Sequence, residues 1–416
     1  MTDPAHADRR STDEPVDRRA VPDALDALDA RLAGYVRAAG RAPSAHNTQP
    51  WAPRVVDGAV EVSVVPSRTL PAGDPTFRDL LLSLGTWVES LAVVAAADGL
   101  VVSVEPLPAL CLLEDLPVEG PADPGLPVLR LTFTDADGDA DVHAHAHASA
   151  GGVTPGLTTT DGFTAAHVRD RRVFRGTLLP APDVWRDSPR LPGWLRLLEV
   201  DDPAMRQLVR LGTAYTASRP TVAAELVRWL RLSPDHPRYA LDGMTDQMLA
   251  LPAPVARLAA PFTRRPALHD PLVAMSGMVG RAVEGLGRGR PLPRRPEDQS
   301  HVRVRHLVLV ADPGSRAGTA GGSGAGRAPV TQPVESRIGI PEDAAVEAGR
   351  ALQRLWLHAH VQGLVVAPHS EVVDSPAAHG ALRRRLGLRR SEVALSVFSS
   401  GIASGPVARS PRLDGA

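Results

Sequence analysis

The chain has 416 residues, enough for two domains, and 43% hydrophobic with 22% charged residues is a globular composition. A formal net charge of −1 gives no support to a nucleic-acid-binding protein. No run of 18 apolar residues and no apolar signal segment at the N-terminus is present, so we expect a cytoplasmic protein without a membrane span. The single cysteine, Cys111, excludes an intramolecular disulfide, and its apolar neighbours predict that it is buried.

Two features of the composition affect how motifs are interpreted. The chain has no lysine, so all 46 basic residues are arginine, and the arginine excess is a background property rather than a functional signal. Asn47 is the only asparagine. A lone residue of a type that the chain otherwise avoids is a candidate for a specific role.

Taken in chain order, residues 1–22 are polar and without pattern, which predicts a disordered tail. A first half follows over residues 23–134. Helical spacing and alternation of apolar residues predict helices over 24–38 and 80–97 and strands over 60–65, 100–104 and 128–133.

A polar linker is expected over residues 135–160. It contains His143, His145 and His147, which could bind a metal, although a solvated linker is the favoured interpretation. The second half, 161–413, is predicted to contain helices over 205–215 and 344–361 and strands over 306–310, 364–366 and 393–398. An insertion over 233–300 has apolar stretches at 244–251 and 272–278 and is predicted to form a helical lid.

The two halves share an internal pattern. Gly85 and Gly99 have the same separation as Gly349 and Gly363, and both helices run into the sequence Gly-Leu-Val-Val. Two apolar helices with a C-terminal glycine can look alike by chance, but the shared tetrapeptide favours an internal duplication. Matching Trp51 to Trp229 would place two valines and Glu225 opposite the polar residues of the first half.

The densest polar motif is the segment 42–51, Ala-Pro-Ser-Ala-His-Asn-Thr-Gln-Pro-Trp. Its prolines stiffen the loop, and Ser44, Asn47 and Gln49 offer hydrogen-bond donors and acceptors. A flat heteroaromatic ring such as a flavin pyrimidine would suit them. The alternative is a capped turn whose polar groups serve its own backbone.

Two arginine motifs are candidates for anion binding. In Arg-Asp-Arg-Arg-Val-Phe-Arg, residues 169–175, we expect Arg171 and Arg175 to point to one anion, because guanidinium groups bind phosphate with paired hydrogen bonds. A solvated basic run is the alternative. The C-terminal segment carries Arg412 close after a predicted strand, so it is expected either to lie on the fold or to be a disordered tail.

Together these motifs resemble the FMN-dependent nitroreductases, and the duplicated arrangement with an insertion is similar to their fused Acg-like branch. The resemblance implies an α+β fold in which two fused half-domains form an intramolecular pseudo-dimer around one FMN. It also implies that NAD(P)H reduces the flavin, which then reduces a nitroaromatic, a quinone or a similar acceptor. Carried over residue by residue, it assigns cofactor binding to Pro43, Ser44, Ala45, Asn47, Gln49, Arg171, Arg175, Pro368, Ser370 and Arg412.

The chain departs from that family at three places. Val173 stands where a serine is common, His369-Ser370-Glu371 replaces a Glu-Gly pair near the flavin's reactive edge, and the long insertion is extra. Two alternatives therefore stay open. One is an FMN storage protein with little turnover, and the other is a flavin-free scaffold that binds a partner through its histidine-rich loop or its insertion.

Overall fold

The structure is a computed structural model that describes residues 20–115, 124–136, 162–264, 273–274, 277–278, 301–319 and 337–413. It is a mixed helix and sheet fold with a four-stranded and a five-stranded antiparallel sheet, a two-stranded parallel sheet and a central pair of long helices. The expected α+β class is confirmed. The predicted N-terminal tail up to residue 19 and nearly all of the histidine-containing linker lie outside the described residues.

The first half contains every element that the sequence predicts and one strand that it does not. Hydrophobic periodicity places the two helices to within a few residues. The strand that follows the polar loop, β1, contains a proline and only a weak alternation, so no pattern indicated it. The elements are α1 Ala20–Ala39, β1 Trp51–Val56, β2 Ala59–Val64, α2 Arg78–Ala96, β3 Leu100–Pro106 and β4 Pro127–Asp135.

The second half contains the predicted elements and several short additional ones. Its helices are α3 Ala165–Asp170, α4 Asp202–Ser218, α5 Pro220–Arg228, α6 Ala253–Arg264, α7 Pro313–Thr319, α8 Glu342–Val361, α9 Ser370–Asp374 and α10 Pro376–Leu386. Its strands are β5 Leu178–Leu179, β6 Leu195–Val200, β7 Leu230–Arg231, β8 Met244–Thr245, β9 Arg305–Ala311, β10 Val365–Pro368 and β11 Val393–Ala403.

The two large sheets have the same strand order. The first runs β1-β2-β4-β3 and the second runs β6-β9-β11-β10, with antiparallel pairing throughout each path. In each half the long helix lies between the second and third of these strands along the chain. The first, second, third and fourth strands therefore occupy equivalent positions in both sheets.

The long helices α2 and α8 cross at a pair of glycines. A Cβ added at Gly85 would lie 2.0 Å from the carbonyl oxygen of Val346, and one added at Gly349 would lie 2.3 Å from that of Leu82. The contact is reciprocal, because Leu82 precedes Gly85 by the same three positions as Val346 precedes Gly349. Reciprocal contacts of this kind are typical of a two-fold axis. Glycine at both positions lets the two backbones touch.

The equivalence between Trp51 and Trp229 is wrong. Trp51 begins β1, whose counterpart by strand order is β6, and Trp194 directly precedes β6. Trp229 instead precedes β7, which pairs only with β8. The sequence match failed because a tryptophan after an apolar helix recurs at both places. The carboxylate of Glu225 has a separate role, since it accepts hydrogen bonds from the backbone of residues 72 and 73.

Two further expectations concern apolar segments. Cys111 is exposed, contrary to the prediction, because Leu110 and Leu113 face the core in a 3-10 turn and leave Cys111 and Leu112 outside.

Within the described residues, α2 alone is long and apolar enough to cross a membrane by length and composition. Nearly all of its side chains are buried in the protein core, which is the arrangement of a central core helix.

The described part of the insertion packs onto the rest of the fold. Met244 is buried in β8, and Val273 packs against Ala223 and Val227 of α5. Met278 is exposed. Residues 265–272, 275–276 and 279–300 lie outside the described part of the chain.

Candidate functional site

The polar loop between α1 and β1 has an unusual backbone. His46, Asn47 and Gln49 all have positive φ angles, of 48°, 56° and 52°. Asparagine and histidine tolerate this left-handed conformation better than most residues, whereas glutamine adopts it rarely. Strained backbone of this kind occurs mainly at ligand-binding and active sites. The Ser44 hydroxyl supports the loop by accepting a hydrogen bond from the Gln49 amide over 2.9 Å.

The side-chain amides of Asn47 and Gln49 are fully engaged inside the protein. The Asn47 Nδ2 donates to the carbonyls of Gly243 at 3.2 Å and Pro411 at 3.1 Å. The Gln49 Nε2 donates to the carbonyl of Leu241 at 3.0 Å, and its Oε1 accepts from the backbone amide of residue 413 at 3.0 Å. The two amides therefore fasten both the insertion and the C-terminal segment to the loop. That they also contact a cofactor stays a prediction.

Arg412 is buried and held at every guanidinium nitrogen. Its Nη1 donates to Asn47 Oδ1 at 2.8 Å, and its Nε donates to the Gly40 carbonyl at 2.6 Å. Its Nη2 donates to the carbonyls of Arg41 at 2.8 Å and Ala42 at 3.0 Å. Of the two expectations for the C-terminal segment, the structure therefore shows that it lies on the fold.

Arg171 lies in the segment after α3 and is also buried. Its guanidinium packs 5.7 Å from the centre of the Trp356 ring, and Nη2 makes a long contact of 3.4 Å with the Arg41 carbonyl. Its Nε and Nη1 are buried and have no hydrogen-bond partner among the residues that the structure describes. Unpaired charged donors in the interior are costly, so they point to an anion that completes them.

These side chains belong to an arginine cluster formed by Arg41, Arg171, Arg172, Arg409 and Arg412. Burial, followed by repulsion from the neighbouring arginines, lowers the pKa of Arg171 to about 9. Burial and the same neighbours lower the pKa of Arg41 to about 10 and that of Arg412 well below its usual value. The nearby carboxylate, Asp170, is already paired with Arg169. The arginine cluster therefore has the electrostatics of a binding site for a multiply charged anion.

Arg175 does not join this cluster, contrary to the expectation that it shares an anion with Arg171. Val173 between them bridges to Val366 of β10, and the charges that act on Arg171 are those of Arg41 and Arg172, without Arg175. The charge that acts on Arg175 is that of Glu371. Arg175 is solvent-accessible, yet desolvation by the surrounding protein lowers its pKa.

His46 is a site residue that sequence reasoning missed. Its Nδ1 is buried without a hydrogen-bond partner, and burial together with the charge of Arg175 lowers its pKa to about 4. Asp79 and Glu371 are the carboxylates that act on it. The imidazole is therefore neutral at physiological pH. The position of His46 in the polar loop marked it as a candidate site residue. The sequence does not show that the charge of Arg175 acts on its imidazole.

Pro368 and Ser370 lie where β10 turns into α9. Pro368 pairs with Phe398 of β11, and His369 precedes the first residue of α9, Ser370. The charge of Glu371, in the next position, acts on Arg175 and His46. The structure thus brings the predicted residues into two neighbouring groups. One is the arginine cluster with Asn47, and the other, the recess group, consists of His46, Arg175 and Glu371.

Among the described residues, no group of three or more His, Cys, Asp or Glu side chains is placed to hold a metal ion. The three alternating histidines of the linker lie outside the described part of the chain.

Comparison with known proteins identifies the sequence relatives of this chain. A segment of 88 residues is 35% identical to "Putative NAD(P)H nitroreductase acg" of Mycobacterium tuberculosis, and a segment of 59 residues is 42% identical to a second "Putative NAD(P)H nitroreductase" of that organism. The resemblance to the nitroreductase family is confirmed.

The matched segments are short. They cover 21% and 14% of this chain and 26% and 17% of the two relatives, so the chain spans about a quarter or less of the curated proteins that it matches. No protein-family model matches the chain. A solved structure titled "a putative nitroreductase from anabaena variabilis" aligns over 83% of this chain and 69% of its own, with 13% identity and a TM-score of 0.33. A TM-score at this level does not support a fold assignment.

Proposed function

We propose that this nitroreductase-like chain is an NAD(P)H-dependent oxidoreductase that binds FMN, with the phosphate in the arginine cluster. The observation that carries the proposal is Arg171, whose Nε and Nη1 are buried, charged and unpaired. A phosphate monoester with a charge of about −2 would supply acceptors for these donors and relieve the repulsion among the arginines. The donor set therefore fits the phosphate of FMN.

In this proposal, each residue near the phosphate has a distinct task. Arg171 would donate its two unpaired N–H groups to phosphate oxygens. Arg412 would contribute charge from a fixed position, because its N–H groups are already committed to Asn47 and to backbone carbonyls. Asn47 is then a positioning residue for Arg412.

In this proposal, the recess group borders the flavin ring. Bound FMN would supply the redox chemistry, accepting a hydride from NAD(P)H and passing electrons to a nitroaromatic, a quinone or a similar acceptor. Arg175 would orient the ring through hydrogen bonds and charge. Neutral His46 could accept or donate one hydrogen bond without adding charge. Pro43, Ser44, Ala45, Pro368 and Ser370 are proposed to shape the walls beside them.

We also propose that the two halves are a duplicated pair that act as an intramolecular pseudo-dimer with one FMN per chain. The shared strand order and the reciprocal contact between Gly85 and Gly349 support this arrangement. The support for one cofactor is that the first half continues into an acidic stretch, at Asp135, Asp137, Asp139 and Asp141, where the second half has Arg412.

The insertion is proposed to close over the site as a lid that is anchored to the first half. Gln49 and Asn47 donate to its backbone at Leu241 and Gly243. Asp242 is fully buried and binds Arg68, Arg231 and Arg238 together. Removing the whole insertion would therefore also remove partners of the polar loop.

The decisive experiment compares the binding of FMN with that of riboflavin, which lacks the phosphate. In Arg171→Ala, FMN affinity should fall about ten- to a hundredfold, the equivalent of roughly 1.5–3 kcal/mol for charged hydrogen bonds, while riboflavin affinity stays unchanged. Arg37→Ala is the matched control, since Arg37 is an exposed arginine in the last turn of α1. Equal losses for both ligands would contradict the proposed phosphate site.

A second measurement separates an oxidoreductase from an FMN storage protein. The FMN-loaded protein is mixed with NADPH in a stopped-flow instrument, and the loss of flavin absorbance is followed. We expect NADPH to reduce the bound flavin fast enough to support turnover, and a soluble quinone to reoxidise it. A bound flavin that neither NADPH nor NADH reduces would favour storage.

A further inference from the structure

A continuous chain of hydrogen bonds crosses the second sheet between solvent and the recess group. Asp202 Oδ1 lies 3.2 Å from His306 Nε2, and His306 Nδ1 lies 2.7 Å from the Ser399 hydroxyl. The same hydroxyl lies 2.8 Å from His369 Nε2, and His369 Nδ1 lies 3.2 Å from Glu371 Oε1. Five side chains are thus joined by four hydrogen bonds, and each can either give or receive a proton.

The backbone holds these side chains in place. His306 of β9 and Ser399 of β11 are direct cross-strand partners, and Asp202 opens α4 just after β6, the other neighbour of β9. The backbone amide of His369 donates to the Val397 carbonyl at 2.8 Å. The two ends differ from the middle in exposure. The Asp202 side chain is 46% exposed and that of Glu371 is 23% exposed, whereas His306 and Ser399 are buried.

We propose that Asp202, His306, Ser399, His369 and Glu371 form a proton relay that delivers protons from solvent to the site faced by Glu371. The inference rests on the proposed function, because reduction of a nitro group or a quinone consumes protons as well as electrons. The electrons would come from NAD(P)H through the proposed cofactor. The relay would supply the protons.

Counting protons shows how the relay works. Four hydrogen bonds need four protons, but two neutral imidazoles and one hydroxyl supply only three. The fourth proton is taken up from water by a terminal carboxyl group at the moment of transfer. When it moves from Asp202 to Glu371, both imidazoles change tautomer and the hydroxyl reverses its direction, and all four hydrogen bonds remain occupied. One proton enters from water at Asp202, and one leaves from Glu371 to the acceptor.

The surrounding charges are compatible with this direction of transfer. Arg206 pairs with Asp202 at the solvent end. Glu199 and His369 act on His306, whose pKa is lowered chiefly by burial, so a charged imidazolium there is disfavoured. At the inner end, Glu371 is faced by Arg175 and His46, and it also interacts with Asp374.

The test removes the central hydroxyl with Ser399→Ala and uses Ser400→Ala as the matched control. Ser400 is the next residue, is equally buried, and its hydroxyl has no hydrogen-bond partner. FMN affinity and the rate of reduction by NADPH should match those of the control. Reoxidation by a soluble quinone should be slower by roughly tenfold or more, with a changed solvent isotope effect. Reoxidation at the control rate would overturn the proposal.

A second readout needs no cofactor and no activity. In the protein without FMN, 15N NMR of the imidazole nitrogens reports the tautomers of His306 and His369 separately. Asp202→Asn should shift the signals of His369 although the two side chains are not in contact, because a relay couples its tautomers. Unchanged His369 signals would overturn the relay. A wild-type protein that binds no FMN, or is not reduced by NADPH, would instead contradict the proposed function.

Discussion

The Arg412 guanidinium donates a 2.8 Å hydrogen bond to Asn47 Oδ1, across 365 positions of the sequence. The contact joins the C-terminal segment to the polar loop of the first half. It explains why an asparagine stands at this position in a chain that has no other. Its oxygen accepts from Arg412, while its nitrogen donates to two backbone carbonyls, and neither leucine nor aspartate could do both.

We predict that Asn47→Ala weakens FMN binding even though Asn47 acts through Arg412. Removing the amide deprives Arg412 of one acceptor and removes a donor from the carbonyls of Gly243 and Pro411, of which Pro411 still accepts from Arg412. The free energy of unfolding should therefore also fall by about 1–3 kcal/mol. Because the effect passes through the phosphate site, FMN should be affected more than riboflavin. Ligand titration and urea denaturation measure the two effects, and a variant that weakens both ligands equally would refute the positioning role.

Arg175→Ala should behave differently from Arg171→Ala. Arg175 faces Glu371 and His46 rather than the arginine cluster, so we expect FMN and riboflavin to lose affinity by the same factor. The ratio of the two dissociation constants is the quantity to measure. A selective loss of FMN would show that Arg175 contacts the phosphate after all.

The crossing of α2 and α8 predicts a strong effect of a single methyl group. Gly85→Ala would place a Cβ 2.0 Å from a backbone carbonyl, so the helices must separate, and the free energy of unfolding should fall by about 3 kcal/mol or more. Gly34→Ala in α1 is the control, since a Cβ there meets nothing within 4 Å. That variant should be neutral or more stable by about 0.5–1 kcal/mol. Similar urea midpoints for the two variants would argue against the close crossing.

The buried carboxyl of Asp74 predicts a pH dependence of stability. Burial, followed by the charge of Asp79, raises its pKa to about 8, against the favourable effects of Arg78 and the Leu80 amide. The folded protein therefore retains a proton that the unfolded chain releases near pH 4, and stability should fall as pH rises from about 4 to 8. Asp74→Asn does not titrate. The stability of the variant relative to wild type should increase with pH across this window in urea denaturation, and parallel curves would contradict the raised pKa.

Hydrophobic periodicity was sufficient for most of the regular structure. The helices α1, α2 and α8 and the strands β2, β3, β4, β9, β10 and β11 all appear where apolar spacing predicts them, because burial of one face or of the whole element leaves a pattern in the sequence. The short strands β5, β7 and β8 carry no such pattern. Their two residues each are specified by partners elsewhere in the chain.

The sequence by itself determined the α+β class, the repeated Gly-Leu-Val-Val register and the resemblance to nitroreductases, because these depend on local composition and on short motifs. Only the tertiary structure decided that Arg171 and Arg175 face different groups, that Asn47 holds Arg412, and that His306 and His369 share one hydroxyl. The physical reason is that charge repulsion, desolvation and hydrogen bonding depend on distances between side chains. Residues hundreds of positions apart acquire those distances only when the two halves pack together.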